Sequence, residues 1–346
     1  MPSMKNMGPA CCCCHDVWSG ESRSHLQIGK PASLAWSATG TAAGNGDFDH
    51  VNRKALYANR SGTNDSVYLH DEKLNTEAFV ITRPFTNNEF APLWLGCCDP
   101  DNERIVDITH KTAGVGEDEI VAHLYNYDGT GDTQLMTLPV WDAPNYYSRI
   151  SHVHYNRITD TVFCWIHRGN GTFAGDLSVT QTYFEILEFD LLGNPPTVIH
   201  SFAAKRWSVI GNQYLGQVFV LDIDYTNQKL WWEIHGPTTD GAATYDRQIQ
   251  RSDWNGANLE TLLTEQTSSK PYTHAGWQYS HSDNKFYLSA YNTSLSITAD
   301  TATGFWQVEP DWLSKKLLYS RADLEIQPTW FRLGCGYETL GPGSIA

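Results

Sequence analysis

The chain has 346 residues, 39 acidic against 24 basic side chains, a formal net charge of −15 and 12% aromatic residues. A phosphate backbone would be repelled by this charge, and the sequence contains no basic patch, so we expect no nucleic-acid partner. It also contains no run of about 18 apolar residues, so we expect no membrane span. A chain of this length and aromatic content is typical of one large β domain such as a propeller or a barrel.

The first 25 residues show no periodicity, and we predict that they form a tail or anchor before a single domain over residues 26–346. They lack the apolar stretch of a secretory signal peptide. Four cysteines are consecutive and a histidine follows them: Cys11, Cys12, Cys13, Cys14 and His15. We favour an anchor whose thiols pack on, or cross-link to, a neighbouring chain. A metal site is a second interpretation, although consecutive ligands point in different directions, and lipidation is a third.

A short motif recurs along the rest of the chain. An apolar strand ends in Asp or Asn, a polar turn follows, and a second strand begins a few residues later. A short Asx side chain can accept hydrogen bonds from backbone N–H groups further along the turn, which fixes the hairpin. Four copies contain the predicted turn-forming residues, and a fifth copy occurs at 281–287. The predicted turn-forming residues are Asp49, Asn52, Asp99, Asn102, Asn156, Asp224 and Asn227.

The copy at 218–263 is the most complete. Its apolar and alternating segments predict strands at 218–224, 230–232, 248–251 and 259–263, separated by turn residues such as Asn255 and Gly256. Four antiparallel strands in one repeat are typical of a propeller blade.

This copy also resembles a known repeat. The segments Leu221-Asp222-Ile223-Asp224, Lys229-Leu230-Trp231-Trp232 and Ser252-Asp253-Trp254-Asn255-Gly256 are similar to the YWTD repeat, or LDL-receptor class B repeat. The sequence departs from the family at Glu233-Ile234, where the family has Thr-Asp. The resemblance is close only over 218–263, and it implies a β-propeller.

The number of blades follows from the end of the chain. Residues 330–335 copy the start of a blade at 93–97, but too little chain follows them to complete a sheet. We therefore predict an all-β propeller of six four-stranded blades, the sixth closed by N-terminal strands near 25–28 and 33–38. Five or seven blades are the alternatives. Closure by both termini would remove free sheet edges.

Residues with catalytic chemistry are sparse. The sequence has no G-x-S-x-G, P-loop or H-E-x-x-H motif. Propeller lactonases hold calcium in a central channel with acidic and amide side chains from inner strands, and by that analogy the candidates here are Asp222, Asp224, His152, His154, His281 and Arg332. Asp224 is already explained as a turn former. His152 and His154 share one side of a strand, where a structural pair is favoured over a ligand pair. Trp254, in a turn, is a candidate binding residue.

The sequence therefore favours a non-enzymatic interaction or structural module without a cofactor. We expect a subunit of a larger assembly, such as a phage tail, a virion or an extracellular surface fibre, that contacts neighbouring subunits through its N-terminal tail. The expected location is extracellular or in a virion. One alternative is a calcium-dependent hydrolase of the lactonase or esterase type, with Ca²⁺ in the central channel. Another is a glycan-binding propeller.

Overall fold

The structure is a computed structural model. It describes residues 16–19, 25–26, 35–36, 41–42, 44–45, 47–49, 51–61, 64–71, 73–74, 76–84, 94–112, 118–138, 146–170, 182–203, 217–236, 245–267, 273–280, 284–291, 304–320 and 331–334. These fall in two compact units. The large unit spans residues 40–271, and the small unit combines residues 1–39 with 272–346.

All regular elements in the described ranges are β-strands. In chain order they are β1 (Asp16–Ser19), β2 (His25–Leu26), β3 (Ala35–Trp36), β4 (Thr41–Ala42), β5 (Gly44–Asn45), β6 (Asp47–Asp49), β7 (Lys54–Ser61), β8 (Asn64–Asp71), β9 (Thr76–Pro84), β10 (Trp94–Asp99), β11 (Arg104–Thr112), β12 (Asp118–Asn126), β13 (Thr133–Leu138), β14 (Tyr146–Asn156), β15 (Thr161–Asn170), β16 (Thr182–Asp190), β17 (Thr197–Ala203), β18 (Gln217–Asp224), β19 (Lys229–Gly236), β20 (Tyr245–Asp253), β21 (Glu260–Thr267), β22 (Thr273–Ser280), β23 (Lys285–Tyr291), β24 (Gly304–Val308), β25 (Lys315–Ser320) and β26 (Phe331–Gly334).

Most of these strands form antiparallel sheets of consecutive strands, the topology of propeller blades. In the large unit, blade I contains β4 and β6–β9, and blade II contains β10–β13 with β5 added in parallel. Blade III contains β14–β17 and blade IV contains β18–β21. The inner strands of successive blades are neighbours in space, since β10 contacts both β6 and β14, and β14 contacts β18. The chain therefore has a β-propeller fold.

The hydrophobic core of the large unit lies between successive blades. One cluster packs Val106 and Ile108 of blade II against Val162 and Leu187 of blade III. A second joins blades I and II, and a third joins blades III and IV around Trp165 and Trp232. Both faces of blade III are thus covered, by blades II and IV, which explains the continuous buried run Val162 to Ile166 on β15. Glu233, at the position where the YWTD repeat has Thr, is also buried.

A buried ion network also joins blades I and II. Arg83 of β9 donates from Nε to Asp107 Oδ2 (2.7 Å) and from both terminal nitrogens to Asp132 (2.8 Å each). Tyr125 donates its hydroxyl hydrogen to Asp107 Oδ2 (2.9 Å). Burial by itself would lower the pKa of Arg83, but the hydrogen bonds and charges of Asp132 and Asp107 raise it. The guanidinium therefore stays charged between the two blades.

The small unit corrects the predicted blade number. It contains blade V, built from β22–β25, and two sheets of two strands each, β1 with β26 and β2 with β3. The described strands thus form five sheets of four or five strands, so the prediction of six four-stranded blades is wrong and the alternative of five holds. The physical reason is that β26 pairs with β1, while β2 and β3 pair with each other. The termini do meet in a sheet, but it is a two-stranded one.

The proposed division at residue 25 stays a prediction, although Asp16–Ser19 within the predicted tail is a strand. The part of the chain that the structure describes contains no helix with the length and hydrophobicity of a membrane crossing.

Candidate functional site

One face of the large unit is formed by hairpins. In an antiparallel blade, the first hairpin (inner to second strand) and the third hairpin (third to fourth strand) leave the same end of the sheet. The first hairpins of neighbouring blades touch, because Asn52 Nδ2 donates to Pro100 O (3.0 Å) and Arg157 donates to Asp101 (2.7 Å). We call the described residues of the first and third hairpins of blades I–IV the turn face.

The turn-forming residues predicted from the sequence lie in the first hairpins. Asp49 Oδ1 accepts from the backbone nitrogens of Val51 and Asn52 (2.9 Å each), and its Oδ2 accepts from Asn52 Nδ2 (2.8 Å). Asp224 makes the same pair of bonds with Asn227, at 3.0 and 2.7 Å. The other two hairpins use Asp99 with Asn102, and Asn156, whose Oδ1 accepts from Ile158 N. The side chains of Asp49, Asp99 and Asp224 are buried, so part of the acidic surplus stabilises turns.

Each first hairpin ends in a residue with left-handed backbone. The φ angles are 59° at Arg53, 51° at Glu103, 56° at Asp160 and 53° at Gln228, each directly before the second strand of its blade. A non-glycine residue in this region is uncommon and is tolerated here because the turn is fixed on both sides. These side chains therefore occupy equivalent positions on successive blades.

The third hairpins are held by close backbone contacts. Gly129, Gly193 and Gly256 all have positive φ, and a Cβ on them would lie 2.1, 3.0 and 2.8 Å from backbone oxygens of the preceding blade. Those oxygens belong to Val80, Leu135 and Ile199, the extra residues at β-bulges in the outer strands. The sequence pattern predicted Gly256 as a turn residue, but it did not predict the bulges that these glycines contact.

Carboxylates on the third hairpins remain ionised. A side-chain hydrogen bond from Thr130 lowers the pKa of Asp128, and one from Asn194 lowers the pKa of Asp190. The pKa of Asp253 is lowered first by its hydrogen bond with Lys229 and then by one with Asn258. Asp128 is exposed, and Asp190 and Asp253 are half-buried. Asp128 and Asp190 therefore add negative charge to this end of the blades at neutral pH, whereas the charge of Asp253 is paired with that of Lys229.

Aliphatic side chains project between these charges. Leu192 is 86% exposed and Leu74 is 71% exposed, and three further β-branched or leucine side chains on the same face are also exposed. Of the seven large apolar residues that are exposed in the described part of the large unit, five are hairpin residues: Val51, Leu74, Ile158, Leu192 and Leu259.

A groove of about 600 Å³ lies between blades I and II at the turn face. Its walls combine charged, amide and aromatic side chains, among them Lys54, Asp71, Glu103, Tyr127 and Asp128. Lys54 Nζ lies 3.9 Å from Glu103 Oε1 and 5.1 Å from the centre of the Tyr127 ring. Tyr127 donates its hydroxyl hydrogen to the buried Asp49 (2.7 Å), which ties this wall to the neighbouring first hairpin.

An aromatic ladder lies on the face of blade I that points away from the groove. Tyr57, Tyr68 and Phe79 are paired across β7, β8 and β9, with ring centres 5.4 and 5.9 Å apart. They alternate along their strands with residues such as Leu69 and Ala78, which face the groove. Tyr57 is buried, whereas Phe79 is 57% exposed. Sequence patterns carry no signal for this ladder, because the pairing depends on registers across three strands.

The candidate binding residues Trp254 and His154, which were predicted from the sequence, are only partly exposed. Trp254 is half-buried, its Nε1 donates to Lys229 O (3.2 Å) and its ring packs edge-on against Tyr225. His154 is half-buried on β14. The side chains of His152, His281 and Arg332, and the predicted cluster Cys11, Cys12, Cys13, Cys14 and His15, lie outside the described residues.

The two inner-strand carboxylates of blade IV that were candidates for a calcium site both accept hydrogen bonds. Asp222 Oδ1 accepts from Ile223 N (2.7 Å), and both oxygens of Asp224 bond to Asn227. No group of three or more His, Cys, Asp or Glu side chains in the described ranges is arranged to hold a metal ion.

A serine–histidine pair joins blades III and IV. His200 Nε2 lies 2.9 Å from Ser252 Oγ, and Ser252 Oγ donates to Asp253 O (2.9 Å). A hydroxyl has one hydrogen, so Nε2 is the donor to Ser252 and cannot act as its base. Ser252 is also fully buried, and the pair is therefore structural.

Comparison with known proteins supports the fold. No protein-family model matches the chain, and no curated protein matches it. Among solved structures, puromycin hydrolase is 13% identical with a TM-score of 0.52, over 81% of this chain and 39% of the hydrolase chain. A nidogen/laminin complex is 10% identical (TM-score 0.49; 87% of this chain, 91% of that chain). Oligogalacturonate lyase from Vibrio parahaemolyticus is 11% identical (TM-score 0.49; 88% and 74%). At such identities, the likeness to the hydrolase concerns the fold alone.

Proposed function

We propose that this β-propeller is a non-enzymatic interaction module that binds a protein partner through the turn face of the large unit. The observation that carries the proposal is the set of five exposed aliphatic residues on its hairpins. A single exposed leucine is ordinary, but apolar side chains gathered on one face, with polar residues around them, are typical of a contact surface.

The rigidity of the hairpins supports the same function. The first hairpins are fixed by Asx hydrogen bonds such as those of Asp49, and the third by contacts such as that of Gly129 with Val80. A surface that is already ordered loses little conformational entropy when it binds. The ionised carboxylates between the apolar tips would supply a polar rim that disfavours acidic partners.

We further propose that the repeat is a divergent YWTD repeat and that the chain is a subunit of a larger extracellular or virion assembly, anchored by residues 1–25. The motif at 218–263 and the consecutive cysteines support this finer proposal. Replacement of Cys11 to Cys14 by serine should then reduce assembly without changing thermal unfolding. Unchanged assembly, measured by sedimentation, would argue against the anchor.

The interaction function is tested by photo-cross-linking in the cells that produce the protein. A photoreactive amino acid is placed at Leu192 on the turn face or, as a control, at Thr137, an exposed residue at the other end of outer strand β13. We expect position 192 to capture a protein that position 137 does not. The captured protein, once purified, should bind the chain about tenfold more weakly after L74S and L192S.

Two results would overturn the proposal. One is the absence of a cross-linked protein at Leu192 and at each other exposed aliphatic residue of the turn face. The other is hydrolysis of lactones or aryl esters by the purified chain in a calcium-dependent reaction that a chelator abolishes, which would favour the hydrolase alternative.

A further inference from the structure

The groove between blades I and II is built from two different walls. One wall is the start of β9, where Thr76, Ala78 and Phe79 are exposed. The other is formed by blade II hairpin residues, including Glu103, Tyr127 and Asp128. A cavity of about 600 Å³ is large enough for a few side chains of a ligand.

The β9 wall offers an unpaired strand edge. Among the described strands, β9 ends its sheet and pairs with β8 alone. An edge strand presents backbone N–H and C=O groups that an extended peptide can pair with, as an added strand. Thr76 and Ala78 of this edge are exposed on the groove side of the strand, which leaves room for the side chains of a bound chain.

The charges select the occupant. The groove contains three carboxylates, Asp71, Glu103 and Asp128, against one ammonium group, Lys54. The Glu103 side chain is 60% exposed, while Lys54 lies between Glu103 and the Tyr127 ring. The exposed charge that a ligand would meet is therefore negative, which favours a cationic ligand.

We propose that this groove binds an extended peptide segment carrying a lysine or arginine side chain. The peptide backbone lies along the edge of β9 that is unpaired among the described strands, and its cationic side chain enters between Glu103 and Asp128. This inference rests on the proposed interaction function and names the partner chemistry of one part of the turn face.

The test measures fluorescence anisotropy of a short fluorescein-labelled peptide that alternates lysine with valine and threonine. The same peptide with glutamate in place of lysine is the charge control. We expect the basic peptide to bind, the acidic peptide not to bind, and the affinity to fall as salt is added.

Two groove variants and a matched control locate the site. E103Q removes a charge while introducing the residue that Gln228 provides at the equivalent position of blade IV. D128N removes the second charge and keeps an oxygen that can accept from Thr130. The control E260Q removes the charge of Glu260, a carboxylate of blade IV that is 47% exposed. Both groove variants should weaken binding about tenfold, whereas E260Q should not.

Each other outcome overturns the inference. Equal binding of both peptides would refute the charge preference, and binding that is insensitive to E103Q and D128N would refute the location. No binding of the basic peptide would refute the groove as a peptide site, yet would leave the cross-linking at Leu192 untouched, so the two proposals can fail separately.

Discussion

Gly129 of blade II meets Val80 of blade I so closely that no side chain fits between them. A Cβ atom on Gly129 would lie 2.1 Å from the backbone oxygen of Val80, well inside any permitted contact. Two similar contacts join the next pairs of blades, at Gly193 and Gly256. A repeated backbone contact of this kind holds each blade to its predecessor.

Substitution of Gly129 should therefore destabilise the large unit. G131A is the matched control, because Gly131 also has positive φ but would meet only the side chain of Asn126, at 3.2 Å. We expect G131A to cost about 1–2 kcal/mol from the backbone conformation. G129A should cost about 2–3 kcal/mol more, through overlap with a backbone atom. Urea denaturation measures both, and equal losses would contradict the contact.

The buried ion network predicts a second contrast. R83M would leave Asp107 buried without its cation, and we expect a loss of about 3–5 kcal/mol in the free energy of unfolding. R157M removes an exposed guanidinium that also links two blades, through Asp101, and should cost less than about 1 kcal/mol. Chemical denaturation measures the free energy of unfolding of both variants. A similar decrease in both would mean that the buried Arg83 network contributes no more stability than an exposed ion pair.

The first hairpin of blade IV depends on the acceptor atoms of Asp224. D224A leaves Asn227 N without its partner and should cost about 1–3 kcal/mol. D224N should cost less, because an amide oxygen can accept from the backbone, as Asn156 Oδ1 does from Ile158 N. Thermal and urea unfolding of both variants provide the measurement. If D224N were as damaging as D224A, charge and not hydrogen bonding would explain the residue.

Stability should fall in mildly acidic solution because of His200. Burial lowers the pKa of His200 below its ordinary value of 6.5, so the unfolded chain takes up a proton that the folded chain resists. The stability contribution is therefore complete above about pH 6.5 and declines as the pH falls below it. Denaturation at several pH values should show a smaller decline in H200Q, which keeps an N–H donor for Ser252. An identical pH profile would exclude His200 as the cause.

Sequence patterns predicted most of what depends on neighbouring residues. The Asx turn at Asp224 and Asn227 is a contact between positions three apart, so the residue types reveal it. The four strands of blade IV were also predicted, although β19 and β20 extend beyond the predicted 230–232 and 248–251. The ends of these strands contain polar residues, so the apolar pattern stops before the strand does.

The remaining features depend on contacts between distant residues. Gly129 reads as an ordinary turn glycine until the bulge at Val80 is known. Arg83, Asp107 and Asp132 have no common motif and meet only when two blades pack together. The predicted blade number was wrong for a related reason. The sequence suggested that N-terminal strands complete a sixth blade, but the partner with which a terminal strand pairs is distant in sequence, so the pairing cannot be derived from local patterns.

The left-handed residue before the second strand gives the large unit a set of interchangeable positions. Glu103 and Asp160 are acidic and Gln228 is neutral, although the three share one backbone conformation, and the Asx bonds that hold the turns of Glu103 and Gln228 come from other residues. If the turn face binds a partner as proposed, variation at these three points alters which molecules the surface recruits without a new fold having to evolve. Under that proposal, fold maintenance and partner choice are assigned to separate residues of the same short loops.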